Sequence, residues 1–156
     1  MTARVNPLKY PKVYKAMLGL KEAVEGTLEP SLTHLIKARV SLINGCGYCI
    51  DMHTKDARAL GETEQRLYLL SVWREAPIYS EREQAALAWA EAVTLLKNQE
   101  VADEVYEQAR RVFSEEELVA LTLCVVEING WNRFAIPFRT VPGSYQPAGT
   151  AKTTSA

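Results

Sequence analysis

Cys46, Cys49 and His53 lie within one short stretch, INGCGYCIDMH, which runs from Ile43 to His53. On a helix at about 100° per residue, Cys49 falls about 60° from Cys46 and His53 lies between them in angle. All three therefore share one face over two turns. Asn44-Gly45 stands just before Cys46 and marks a helix break, which puts Cys46 at or near a helix start. Unpaired backbone N–H groups and the positive end of the helix dipole stabilise a thiolate there. His53, one turn beyond Cys49, can accept or deliver a proton. A dithiol in this setting can attack a peroxide or a disulfide, after which the second thiol resolves the first.

Two other readings suit the same residues. Cysteine is often buried simply as a small hydrophobe. A zinc site would use the C-x-x-C with His53 and His34. Tetrahedral zinc usually draws on two separated ligand pairs, and the chain has no second C-x-x-C and no H-x-x-x-H. No metal and no other cofactor is expected on that ground. Cys124, in LVALTLCVVEI, is apolar on nearly all sides and reads as a buried, inert thiol. Trp73 and Trp89 read as packing residues.

The bulk numbers set the frame for this chemistry. A chain of 156 residues suits one domain and needs no disulfide or metal staple to fold. Three cysteines are too few, and odd in number, for a secreted disulfide framework. A net charge of −1 favours neither nucleic acid nor an anionic membrane surface. No apolar run approaches the ~20 residues of a membrane span. The start, MTARVNPLKYPKVYK, lacks a signal-peptide core. A soluble, cytoplasmic protein is expected. In such a reducing compartment a C-x-x-C is catalytic or metal-binding more often than structural.

The elements that must position these residues all read as helix. Apolar Val13, Ala16, Met17, Leu20 and Val24 recur at helical spacing from Pro11 to Val24, and Gly26 ends that segment. A second helix opens at Pro30 and runs to Ile43; a third follows the Asn-Gly break and stops at Gly61. The stretch from Glu62 to Ala76 reads as one helix stopped by Pro77. Ser80 with Glu83, and Ser114 with Glu117, have capping-box spacing at the head of two more, with a short helix from Val101 to Val112 between them. The tail 140–156 is rich in Pro, Gly, Ser and Thr, and is expected to be extended or disordered beside a single domain at 1–139. VSLINGCGYC (Val40 to Cys49) has an echo in VVEINGWNRF (Val125 to Phe134), which suggests a repeated helix–Asn-Gly break–helix unit.

RVSLINGCGYCIDMHTKDARALG closely resembles the core motif of the alkylhydroperoxidase D-like proteins, within the carboxymuconolactone decarboxylase superfamily. WREAPIYSEREQAALAWAEAVTLL and EINGWNRFAI also look like its single-domain members, so the resemblance spans Leu28 to Phe138. It implies a compact multi-helix fold and a homo-oligomer, often a trimer or hexamer. It also implies reduction of a peroxide substrate by a dithiol that a thiol or dithiol reductant restores. On that analogy Cys46 and Cys49 are the redox pair and His53 belongs to a proton relay. Cys49, beside His53, is taken as the first attacker, with Cys46 resolving; the position of Cys46 nearer the dipole end supports the reverse order, so both assignments stay open. One position departs from the family pattern. Where the family usually has a glutamate, twelve residues before the first cysteine, this chain has His34. Histidine can take a proton near neutral pH but supplies no fixed negative charge; once protonated it would favour the thiolate by charge pairing. His34 therefore joins Cys46, Cys49 and His53 as a candidate catalytic residue.

Two competing functions remain at this stage. One is cofactor-free lactone decarboxylation, the superfamily's other activity, which should not need a C-x-x-C. The other is a non-catalytic oligomer whose dithiol senses redox state. Mass spectrometry after one equivalent of peroxide should show a Cys46–Cys49 disulfide in the previously reduced protein. Two thiols that stay free and alkylatable would sink the redox-pair reading.

Overall fold

The computed structural model describes residues 2–148. The chain is all-α, as expected: among the described residues there is no strand. The helices are α1 (Pro11–Glu22), α2 (Pro30–Asn44), α3 (Gly47–Ala59), α4 (Glu64–Leu69), α5 (Glu81–Leu95), α6 (Asp103–Val112) and α7 (Glu115–Phe138). Short 3₁₀ turns cover Pro7–Lys9, Leu70–Glu75 and Lys97–Gln99.

α2 is the central element and packs against α3, α5 and α7. Its Leu32, Leu35, Ile36 and Val40 recur at three- and four-residue spacing and are all buried. Leu87 from α5 and Leu121, Val125 and Ile128 from α7 meet them in a fully enclosed core. The two capping boxes form as the spacing predicts. Ser80 Oγ accepts the Glu83 N–H and the Glu83 carboxylate accepts the Ser80 N–H; Ser114 and Glu117 repeat the exchange at α7. Each serine cap contributes about 1 kcal/mol.

The stretch from Glu62 to Ala76 is not one helix. α4 ends at Leu69 and the chain tightens into a 3₁₀ turn, with Val72 off helical geometry at φ −122° and ψ 31°. The cause lies on α5. Glu91 is buried there, and a buried carboxylate needs donors. The tightened turn brings Trp73 Nε1 to within 2.8 Å of Glu91 Oε1 and lets Arg74 bond the other oxygen. Arg39 Nε, from α2, adds a third donor at 2.8 Å. This cluster ties α2, α5 and the turn together.

The second Asn-Gly does not break a helix either, which corrects the expected repeat. α7 runs for 24 residues straight through Asn129-Gly130. Gly130 is helical, and a Cβ there would lie 2.8 Å from Met17 Cε of α1, the end of a flexible side chain that can shift aside. Asn129 keeps its helix and bonds outward, giving Nδ2 to Thr94 Oγ1 at 3.0 Å and to the Val125 carbonyl at 2.9 Å. The tail from 140 to 148 has no helix or strand. It is tied to α3 of its own chain by Gly143 N–H to Asp51, Lys55 Nζ to the Tyr145 carbonyl and Tyr145 Oη to Asp56. The rest of the expected tail, 149–156, lies outside the described residues.

Burial alone would raise the Glu91 carboxyl pKa, but the bonds from Trp73, Arg74 and Arg39 outweigh it and hold it below the usual value. A carboxylate lowered in the folded state adds stability above its unfolded pKa, and that stability is lost as pH falls through the folded value. Glu91→Gln should therefore cost about 2 kcal/mol at neutral pH. Urea titrations at about pH 7 and about pH 3 should show the gap between wild type and variant narrowing in acid; a gap that widens would contradict the cluster's charged state.

Candidate active site

The site is built on the turn between α2 and α3. Gly45 follows α2 in the left-handed region, at φ 71° and ψ 33°, where a side chain would be strained. Its N–H bonds the Leu42 carbonyl at 3.3 Å, and the next N–H, of Cys46, bonds the Ser41 carbonyl at 3.0 Å. This pair of bonds is a Schellman ending. Cys46 is then extended, at φ −87° and ψ 92°, and is the N-cap of α3: its sulfur accepts the Cys49 N–H at 3.4 Å. One residue thus ends the first helix and starts the second. Asn44 clamps the turn to α7 by giving Nδ2 to Asn129 Oδ1 at 2.9 Å and to Asn132 Oδ1 at 2.8 Å. The two Asn-Gly sequences that echo each other therefore touch.

Cys46 and Cys49 are joined as a disulfide, with Cα atoms 5.4 Å apart. Both are buried, at 2% and 3% exposure, and His53 is 8% exposed. His34 and Asp56 are equidistant along the chain from Gly45, so the helical hairpin sets them opposite each other. His34 Nδ1 lies 3.4 Å from His53 Nδ1 and 3.8 Å from Asp56 Oδ2. The second Asp56 oxygen accepts the Tyr145 hydroxyl at 2.7 Å. One turn past His34, Lys37 Nζ pairs with Glu127 Oε2 at 2.6 Å, and both side chains are buried. Trp131 Nε1 donates to the other Glu127 oxygen at 3.2 Å.

The fold therefore links His34 to His53, on the helix that the two cysteines open. Sequence reasoning missed four neighbours. Asp56 sits three residues after His53, a spacing that puts the two on one helix face. Lys37 bears the same relation to His34. Glu127 is a lone carboxylate in an otherwise apolar run. Tyr145 had no signal, because it belongs to a stretch without helical pattern.

Burial, reinforced by the positive charge of Lys37, pushes the His53 pKa well below its usual value. Burial also lowers His34; Asp56 opposes that shift and Lys37 and Lys21 add to it. Both imidazoles are held neutral near neutral pH. Each then has one N–H and one lone pair, so one ring can donate to the other. A neutral histidine is also a ready acceptor for a thiol proton. Cys124 is fully enclosed, and burial pushes its thiol up to about 11, as expected of an inert core cysteine. The ligand atoms of His34, His53 and Asp56 lie within 4.8 Å of one another, close enough to share a metal ion.

The chain has relatives in sequence and fold. Residues 11–92 match the carboxymuconolactone decarboxylase family. The uncharacterized protein YdfG of Bacillus subtilis (strain 168) is 45% identical over 127 residues, which are 81% of this chain and 86% of YdfG. The crystal structure of ATU0492 from Agrobacterium tumefaciens, a protein of unknown function suggested to be the antioxidant defence protein AhpD, matches with a TM-score of 0.87. It is 42% identical, over 92% of this chain and 100% of that one. The debrominase Bmp8 shares the fold alone, with a TM-score of 0.76 at 21% identity over 87% of this chain and 74% of its own. With its helical hairpin and matching sequence, this chain belongs to the carboxymuconolactone decarboxylase family, as an AhpD-like member with the all-helical AhpD-like fold.

Proposed function

We propose that the protein is a thiol-dependent peroxidase of the antioxidant type. The observation that carries this reading is the Cys46–Cys49 pair at the head of α3, with His53 one turn on and in contact with His34. Reduction of the disulfide by a dithiol gives two thiols and leaves the reductant oxidised. His53 takes the proton of the Cys49 thiol. The thiolate attacks the peroxide, the O–O bond breaks, and Cys49 becomes a sulfenic acid. The departing alkoxide takes a proton from His53 and leaves as an alcohol. Cys46 attacks the sulfenic sulfur, water leaves, and the disulfide returns.

The placement of Cys46 suits the resolving role. Its sulfur is already joined to that of Cys49, so it is within reach of a Cys49 sulfenic acid; its place at the positive end of the helix dipole would also stabilise a Cys46 thiolate, which favours the reverse order of attack. The reading includes a homo-oligomer: α7 leaves Val119 70% and Val126 48% exposed, apolar surface that another copy would cover. Lactone decarboxylation gains no support from this geometry, since it has no use for a dithiol.

Peroxide consumption with dithiothreitol, lipoamide or thioredoxin as donor tests the reading. Cys49→Ser should abolish turnover. Cys46→Ser should stop recycling while still forming one sulfenic acid per chain. Turnover that survives in Cys49→Ser would reject the proposal. His53→Asn should slow the peroxide step by roughly 100-fold, the scale of one general acid–base group. Stopped-flow rates for that variant within twofold of wild type would remove His53 from the relay.

A further inference from the structure

His34, His53 and Asp56 meet from two helices, with one ligand atom of each within 4.8 Å of the others. The two Nδ1 atoms lie 3.4 Å apart. Two nitrogens bound at about 2.0–2.1 Å to a tetrahedral zinc lie about 3.4 Å apart. As a hydrogen bond between rings, the same distance is long. Asp56 Oδ2 stands 3.8 Å from His34 Nδ1, and all three ligand atoms fall within 4.8 Å. We propose that His34, His53 and Asp56 form a binding site for a zinc-type divalent cation, with a fourth position left for water.

Three further features favour a cation here. The Asp56 oxygen turned away from the histidines accepts the Tyr145 hydroxyl, as outer-shell partners orient metal-binding carboxylates. His53 and Asp56 are one turn apart on α3, and α2 packs directly on α3, so the ligands sit on a rigid hairpin rather than on a loop. Lys37 and Lys21 both bring positive charge to the histidines, and that of Lys37 is offset by Glu127 at 2.6 Å. The C-x-x-C takes no part. Its sulfurs are bonded to each other, so the site exists in the oxidised protein. The sequence offers both histidines as zinc ligands only together with the C-x-x-C; the carboxylate of Asp56 carries no signal of its own.

The proposal has a consequence that rests on the peroxidase reading. A cation on the Nδ1 lone pairs would take the proton acceptor out of use, so zinc would inhibit turnover. The binding test itself needs no peroxide. Calorimetry of zinc chloride into the oxidised 156-residue chain, free of any affinity tag, should give one zinc per chain. Asp56→Asn and His34→Ala should each weaken binding at least tenfold, and Tyr145→Phe about tenfold. The Cys46→Ser/Cys49→Ser double variant should bind as wild type does. Cobalt in place of zinc should show no thiolate charge-transfer band. Helical circular dichroism confirms that each variant is folded. No saturable binding, or binding that folded Asp56→Asn and His34→Ala leave unchanged, would overturn the site. So would binding lost with the cysteines. The peroxidase reading survives any of those results, and zinc binding survives the loss of that reading.

Discussion

Cys46 is held from both sides. Its N–H closes the end of α2 on the Ser41 carbonyl, and its sulfur caps the start of α3 on the Cys49 N–H. Only a left-handed residue before it allows this, and Gly45 supplies that conformation. The chain therefore reverses within two residues, and α3 folds back along α2. His34, on the outgoing helix, ends up facing His53 and Asp56 on the returning one. The dithiol, the proton acceptor and the carboxylate are consequences of one turn.

Buried charge surrounds this hairpin and sets its electrostatics. Lys37 and Glu127 pair in the interior, and Glu91 gathers Arg39, Arg74 and Trp73 on the far side of α2. A buried ion pair is weak evidence for stability, because desolvation offsets most of its Coulomb gain. Its effect on neighbours is clearer. Lys37 helps to hold both imidazoles below their usual pKa. A neutral His53 can use its lone pair to accept a thiol proton or to bind a cation, but not both at once. The two proposed uses of the cluster are therefore mutually exclusive.

The turn and the caps were legible in the sequence because each rests on a local rule. Cys46, Cys49 and His53 share a face by helical spacing alone, and the serine caps at Ser80 and Ser114 form with their own third residues. Tertiary demands were not legible. The same Asn-Gly dipeptide is a left-handed helix stop at Gly45 and a close-packing point against Met17 at Gly130. Glu62 to Ala76 reads as one helix until the buried Glu91 carboxylate claims Trp73 and Arg74. Asp56 gained meaning only when the hairpin brought it to His34, and Tyr145 only when the segment 140–148 brought it to Asp56.

If the protein is the proposed peroxidase, this turn makes an ordinary dithiol fast toward peroxide. Stopped-flow mixing of the fully reduced protein with limiting peroxide, with thiols counted after quenching, tests it most directly. The account predicts loss of two thiols per peroxide, at a rate at least about 100-fold above free cysteine at the same pH. A rate equal to that of free cysteine would contradict it.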